Sequence, residues 1–165
     1  MKLPFAISRR LAALAAALFV VAVAFIVVMV VIIRGAKPPL PQITAYAHGK
    51  AITVSPYQYC TFNLADCKQG SIAQLDVPAG YPLQLSLPSE ISKAPWRIIM
   101  SYVRPDGAMI IKERYYASNE ASAVTVESDT NPAWQLAGVE IQIPSAVVDE
   151  SGIPRVRGIW SIKTA

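Results

Sequence analysis

Leu11 to Ile33 is a run of 23 residues without one polar side chain, and no other feature constrains the chain as much. As an α-helix rising about 1.5 Å per residue it reaches about 35 Å, enough to cross a hydrocarbon core of about 30 Å with some tilt. A globular domain of this size has no use for a helix of that length that is apolar all round. Val27 to Ile33 is mostly β-branched and would make a mediocre helix in water. In lipid the backbone has to satisfy its own hydrogen bonds, which overrides propensity. The reading is therefore a basic leader over residues 1–10 and a transmembrane helix over residues 11–33.

The run is too long for the apolar part of a cleaved secretory signal, which spans about 7–15 residues and ends in a small-x-small site. Here it stops at Arg34-Gly35-Ala36-Lys37, and no Ala-x-Ala site follows. An uncleaved signal anchor is expected. Lys2, Arg9 and Arg10 precede the run, and Arg34 and Lys37 follow it. That difference, with a whole domain behind a short basic leader, places the N-terminus in the cytoplasm. The expected location is the cell membrane, single-pass, with the C-terminal domain extracytoplasmic.

Charge follows the same division. The chain carries a formal +4. Residues 1–37 hold five basic residues and no acidic one, whereas residues 38–165 hold ten basic and eleven acidic residues. The outer part is close to neutral and offers no basic face to nucleic acid. The overall mean hydropathy of +0.38 likewise owes its sign to the apolar run.

Residues 34–41 form a Pro-rich linker, with Pro38, Pro39 and Pro41 favouring a short, stiff polyproline II spacer. Residues 42–165 are enough for one hydrophobic core. Their patterning is strand-like nearly throughout. Ile43 to Ala47 and Ala51 to Val54 flank His48-Gly49, a two-residue hairpin turn. Trp96 to Val103 and Ala108 to Tyr115 flank Arg104-Pro105-Asp106-Gly107, whose Pro-Asp-Gly tip is a strong turn signal. Further strands are expected at Ile72 to Val77, Tyr81 to Leu87, Ala123 to Glu127, Gly138 to Ile143 and Gly158 to Lys163. No segment of this part has a helical period. About nine short strands separated by turns indicate an all-β domain, an immunoglobulin-like or fibronectin-like β-sandwich.

Cys60 and Cys67 are the only cysteines. In an oxidising compartment they are expected to form one disulfide, closing a loop of eight residues worth about 2–2.5 kcal/mol by chain entropy. Redox pairs are spaced by two residues and zinc takes four ligands, and neither pattern is present. His48, the single histidine, falls at a hairpin tip and makes a poor general base. The carboxylate pairs Asp149-Glu150 and Glu127 with Asp129 read as solvated charge. No Gly-rich phosphate loop, HExxH or GxSxG occurs. No cofactor or metal is expected, and the chain reads as non-enzymatic. Tyr57, Tyr59, Tyr115 and Tyr116 lie near turns or strand ends, and form a candidate contact surface.

Several landmarks recur together: Tyr59-Cys60, Asp66-Cys67, the Leu-Pro-Ser and Ala-Pro-Trp stretch at 87–96, and Trp160-Ser161. In this order they resemble an actinobacterial family of exported proteins, "domain of unknown function 2771", over roughly residues 42–163. The resemblance implies an envelope location and a two-cysteine domain, and implies no catalytic residues. Lipoproteins occur among such relatives, and this chain departs from them in having no Cys near the end of the apolar run. The expected function is an accessory or interaction protein of the cell envelope that contacts an integral membrane or envelope-assembly partner. The alternative is a module that binds envelope lipid or glycan.

Overall fold

The computed structural model describes residues 9–35, 39–127 and 132–165. Most of the leader, linker residues 36–38 and Asp129 lie outside the described residues. Two compact units result, one up to Pro39 and one from Leu40 to Ala165. In the first, helix α1 (Arg9–Gly35) contains the whole apolar run, and none of its residues is buried. It is long and apolar enough to cross a membrane, with a hydropathy of 3.4.

The second unit is a sandwich of two sheets. Its elements are β1 (Ile43–Ala47), β2 (Lys50–Val54), β3 (Gln58–Tyr59), β4 (Lys68–Gln69), β5 (Ala73–Gln74), β6 (Leu83–Ser86), α2 (Ser89–Ser92), β7 (Trp96–Val103), β8 (Met109–Tyr116), β9 (Ala123–Val126), β10 (Gln135–Val148) and β11 (Pro154–Lys163). The smaller sheet runs β2-β1-β6-β9. The larger runs β4-β3-β11-β10-β7-β8, with β5 beside β11. Pairing is antiparallel except between β5 and β11. With β1, β6, β7, β8, β9, β10 and β11 taken as the principal strands, β1-β6-β9 packs against β11-β10-β7-β8. This is the Greek-key order of an immunoglobulin-like sandwich, with the fourth strand on the second sheet as in fibronectin-like domains.

Local chemistry explains the hairpins. His48 and Gly49 both have positive φ, 44° and 79°, as a two-residue turn matched to strand twist demands. In the β7–β8 turn Gly107 takes φ 84°, and Asp106 Oδ1 accepts the Ala108 N–H at 3.0 Å. The core lies between the sheets. Ile43, Ala45, Leu83, Leu85 and Val126 face Trp96, Ile98, Val139, Ile141, Trp160 and Ile162 in one cluster.

Four details differ from the sequence reading. β3 and β4 are strands of two residues each, too short for any period to reveal. The strand expected at Ile72 to Val77 is regular only at Ala73–Gln74. Beyond it the chain still follows β11 irregularly, Leu75 N–H donating to Lys163 O and Val77 N–H to Thr164 O. α2 is a single turn. In addition, β10 extends well past Ile143, accommodating Pro144 where its register with β11 shifts, a position at which a missing N–H is tolerated.

Register fixes which elements share an end. Ile43 pairs with Val54, Thr44 with Ser86, and Ser86 with Ala123. Trp96 pairs with Tyr116, and Ile143 with Gly158. One end of the sandwich thus carries the chain's entry at Leu40, α2, the β8–β9 connection, the Cys60–Cys67 loop and the β10–β11 turn. We call it the entry end.

Candidate functional site

At the entry end the larger sheet ends in a groove of about 420 Å³. Its apolar wall begins with Trp96 and Tyr116. They are directly paired across β7 and β8, and their rings stack at 4.1 Å with an interplanar angle of 12°. Ile143 and Pro144 from β10 and Ile153, Pro154 and Val156 from the following hairpin continue the wall. The hairpin turn is held by Asp149, whose Oδ1 accepts the N–H groups of Ser151 and Ile153, each at 2.9 Å. Gly152, at φ 79°, supplies the left-handed residue that returns Ile153 to the groove.

The polar wall is a row across three strands. Register aligns Gln142 with Arg97 and Arg97 with Tyr115, all on the outer face because neighbours along a strand alternate. Arg97 Nε donates to Gln142 Oε1 at 2.7 Å, and its Nη1 to the Tyr115 hydroxyl at 3.2 Å. Nη1 also lies 3.5 Å from Glu113 Oε2, which accepts the Tyr115 hydroxyl at 2.9 Å. Gln142 Nε2 donates in turn to Glu140. The guanidinium charge is thus balanced by carboxylates within the row. On the inner face Arg114 donates to the Tyr116 hydroxyl at 3.4 Å, and that hydroxyl holds the Arg114 guanidinium above its ordinary pKa.

The four tyrosines expected to mark a contact surface fall into two pairs. Tyr57 and Tyr59 border β3, and Tyr115 and Tyr116 end β8. Four strand spacings separate β3 from β8, about 19 Å. Tyr115 is 67% exposed. Tyr116 and Tyr59 are half-buried, against Trp96 and Trp160 respectively. Tyr57 bonds to β11 through its N–H. Only Tyr115 and Tyr116 border the groove. The groove's aliphatic and proline residues were not singled out by sequence, since they come from four separated segments and share no motif.

Cys60 and Cys67 form a disulfide. Gln58 pairs with Gln69 and Tyr59 with Lys68, so the two cysteines occupy the next position in the same antiparallel register. The bridge closes the β3–β4 hairpin against β11, where Cys60 N–H donates to Arg157 O at 2.7 Å. Beside it Arg157 lies over the rings of Tyr59 and Phe62, 5.5 and 5.7 Å from their centroids. Trp160 Nε1 donates to Pro41 O at 2.9 Å, which fixes the first residues of the domain to its core.

A second surface lies on the outer face of the larger sheet, away from the entry end. Ile72, Ile99, Met109 and Ser101 line a shallow hollow of about 370 Å³ bounded by Glu140 and Lys163. Met109 and Ile111 are 64% and 61% exposed. His48 stands at the β1–β2 turn with its ring 4.5 Å from Tyr81, edge to face. Among the described residues no group of three or more His, Cys, Asp or Glu could hold a metal ion.

A family model described as "Protein of unknown function (DUF2771)" matches residues 36–165. Uncharacterised proteins of Mycobacterium tuberculosis and Mycobacterium bovis are 34% identical over 138 residues, 80% of this chain and 82% of each relative. No solved structure matches the chain. By the extent of these matches the chain belongs to the DUF2771 family.

Proposed function

We propose that this family member is a membrane-anchored, extracytoplasmic accessory protein of the cell envelope, non-enzymatic, and that the outer face of its larger sheet contacts a membrane or envelope-assembly protein. The observation that carries the reading is an apolar patch on that face, away from the entry end. An antiparallel sheet with one face on the core ordinarily turns polar residues to water. Here Met109, Ile111 and Ile72 are each more than half exposed, beside Ile99. An exposed apolar patch rimmed by Glu140 and Lys163 is the usual composition of a protein contact.

Anchorage and orientation are part of the proposal. They draw support from the exposed apolar helix α1, from the basic residues at both of its ends, and from the disulfide in the domain that follows. The test is co-purification of the full chain from gently solubilised native membranes, beside the Ile111→Lys variant. The wild type is expected to recover one stoichiometric membrane protein that the variant loses. Recovery of the chain alone in several mild detergents, or equal recovery with the variant, overturns the reading.

A further inference from the structure

The groove lies at the entry end of the same sheet, apart from the hollow although Glu140 borders the hollow and holds Gln142 of the groove, and its ligand binding is measured without a protein partner. Its volume of about 420 Å³ falls in the range of small-molecule sites, about 300–1,000 Å³. The two walls differ in chemistry. One is apolar surface from Tyr116, Ile153, Pro154 and Val156, backed by buried Trp96 and Ile143. The other is the row Gln142, Arg97 and Tyr115, with every member already held by a neighbour. A ligand that fits both walls has an apolar chain and a polar head.

The row also discriminates among heads. Arg97 lies 3.5 Å from Glu113, and Gln142 is bonded to Glu140. The two carboxylates offset the guanidinium, so a phosphate or carboxylate head would meet acidic groups as well as the cation. Hydroxyl groups both donate and accept, and they match a row that offers amide, guanidinium, phenol and carboxylate groups side by side. Tyr115, largely exposed, adds a ring against which the C–H face of a sugar can pack. Trp96 lines the groove from the core side and is 2% exposed. The tether also suits a lipid-borne ligand. Five residue steps join Gly35 to Leu40, at most about 18 Å of extended chain, so the domain cannot move far from a bilayer that holds α1.

We propose that the groove binds an uncharged glycolipid-type amphiphile, its hydrocarbon chain against Tyr116, Ile153 and Pro154 and its sugar hydroxyls on the Gln142–Arg97–Tyr115 row. The test uses the full chain in lipid nanodiscs with ¹⁵N-labelled tryptophan. Trp96→Phe identifies the Trp96 indole signal among the three. Hexyl glucoside, hexyl phosphate and glucose are titrated separately, each below its aggregation threshold. Hexyl glucoside is expected to move the Trp96 indole signal saturably, with at least tenfold weaker binding of the other two. Ile153→Glu, at an exposed position, is expected to weaken hexyl glucoside at least tenfold, and Tyr115→Ala to narrow the preference over hexyl phosphate. No saturable shift with the glucoside overturns the proposal. So does hexyl phosphate binding as tightly as the glucoside, or a shift that Ile153→Glu leaves unchanged. Loss of a protein partner in the co-purification leaves these outcomes untouched.

Discussion

In the smaller sheet buried Ile43, Ala45 and Ala47 alternate with exposed Thr44 and Tyr46, and Leu83 and Leu85 with Gln84 and Ser86. The larger sheet keeps the same inward alternation at Trp96, Ile98 and Tyr102, yet its outward positions include Ile99, Met109 and Ile111. It also carries the disulfide hairpin, the register shifts of β10 and both walls of the groove. One sheet spends its outer face on solubility. The other departs from regular alternation wherever it presents something, which is where functional surfaces are expected to break local rules.

Trp160→Ala should give the largest effect on that contrast. Trp160 is 1% exposed, packs edge to face with Tyr59 at 5.9 Å and holds Pro41 O. Losing it is expected to cost about 3–5 kcal/mol, read as a lower urea midpoint. Amide exchange at Gln42 and Ile43 should also rise. Leu85→Ala in the smaller sheet is expected to cost about 2–5 kcal/mol without loosening the chain's entry. If both variants loosen that entry equally, the special role assigned to Trp160 falls.

The disulfide ranks next. Replacing Cys60 and Cys67 together by serine is expected to remove about 2–2.5 kcal/mol, the chain-entropy value for an eight-residue loop. Hydrogen exchange should increase over 57–70, with the β1–β2 hairpin unaffected. Global loosening of both sheets would show that the bridge supports the whole sandwich.

Two glycines separate packing from backbone effects. A Cβ on Gly158 would lie 2.8 Å from Ile143 Cγ1 and 3.0 Å from Trp160 Cη2. Gly158→Ala is therefore expected to cost about 1–3 kcal/mol by overpacking. A Cβ on Gly49 would meet nothing within 4 Å, but φ there is +79°. Gly49→Ala is expected to cost about 1–2 kcal/mol through the left-handed backbone alone. Measured by thermal unfolding, only the first should be offset in part when combined with Ile143→Ala, which removes the Cγ1 and Cδ1 atoms it would meet.

The same difference explains what could be read from sequence. The β1–β2 and β7–β8 hairpins were legible because His48-Gly49 and Pro105-Asp106-Gly107 encode their turns locally, and alternation marks the strands beside them. The pairing of Cys60 with Cys67 was legible by count, but the two-residue strands that align them were not. β3 and β4 exist because β11 offers a partner, a long-range fact with no local signature. The extension of β10 through Pro144 ran against a rule that holds for central strands and fails at a bulge. Tyr115 and Tyr116 were visible as candidate contact residues at a strand end. The rest of the groove was not, since Ile153 and Pro154 reach it only through the Asp149 turn, and the Arg97 row needs the register of three strands.

The smallest expected effect is also the sharpest test of the contrast. Ile111→Lys and Tyr46→Lys both place a charge at an exposed position on an outer face, one on each sheet. Neither side chain is in the core, so each is expected to change stability by no more than about 0.5 kcal/mol. Strand β8, which carries Ile111, ends the larger sheet, and Lys112, Glu113 and Arg114 already charge that edge against pairing with another strand. A further lysine therefore leaves the edge protected, and the oligomeric state should not change. Only capture of the membrane partner should separate the two, lost with Ile111→Lys and kept with Tyr46→Lys. Equal loss would mean that added positive charge, rather than the apolar face of the larger sheet, controls the contact.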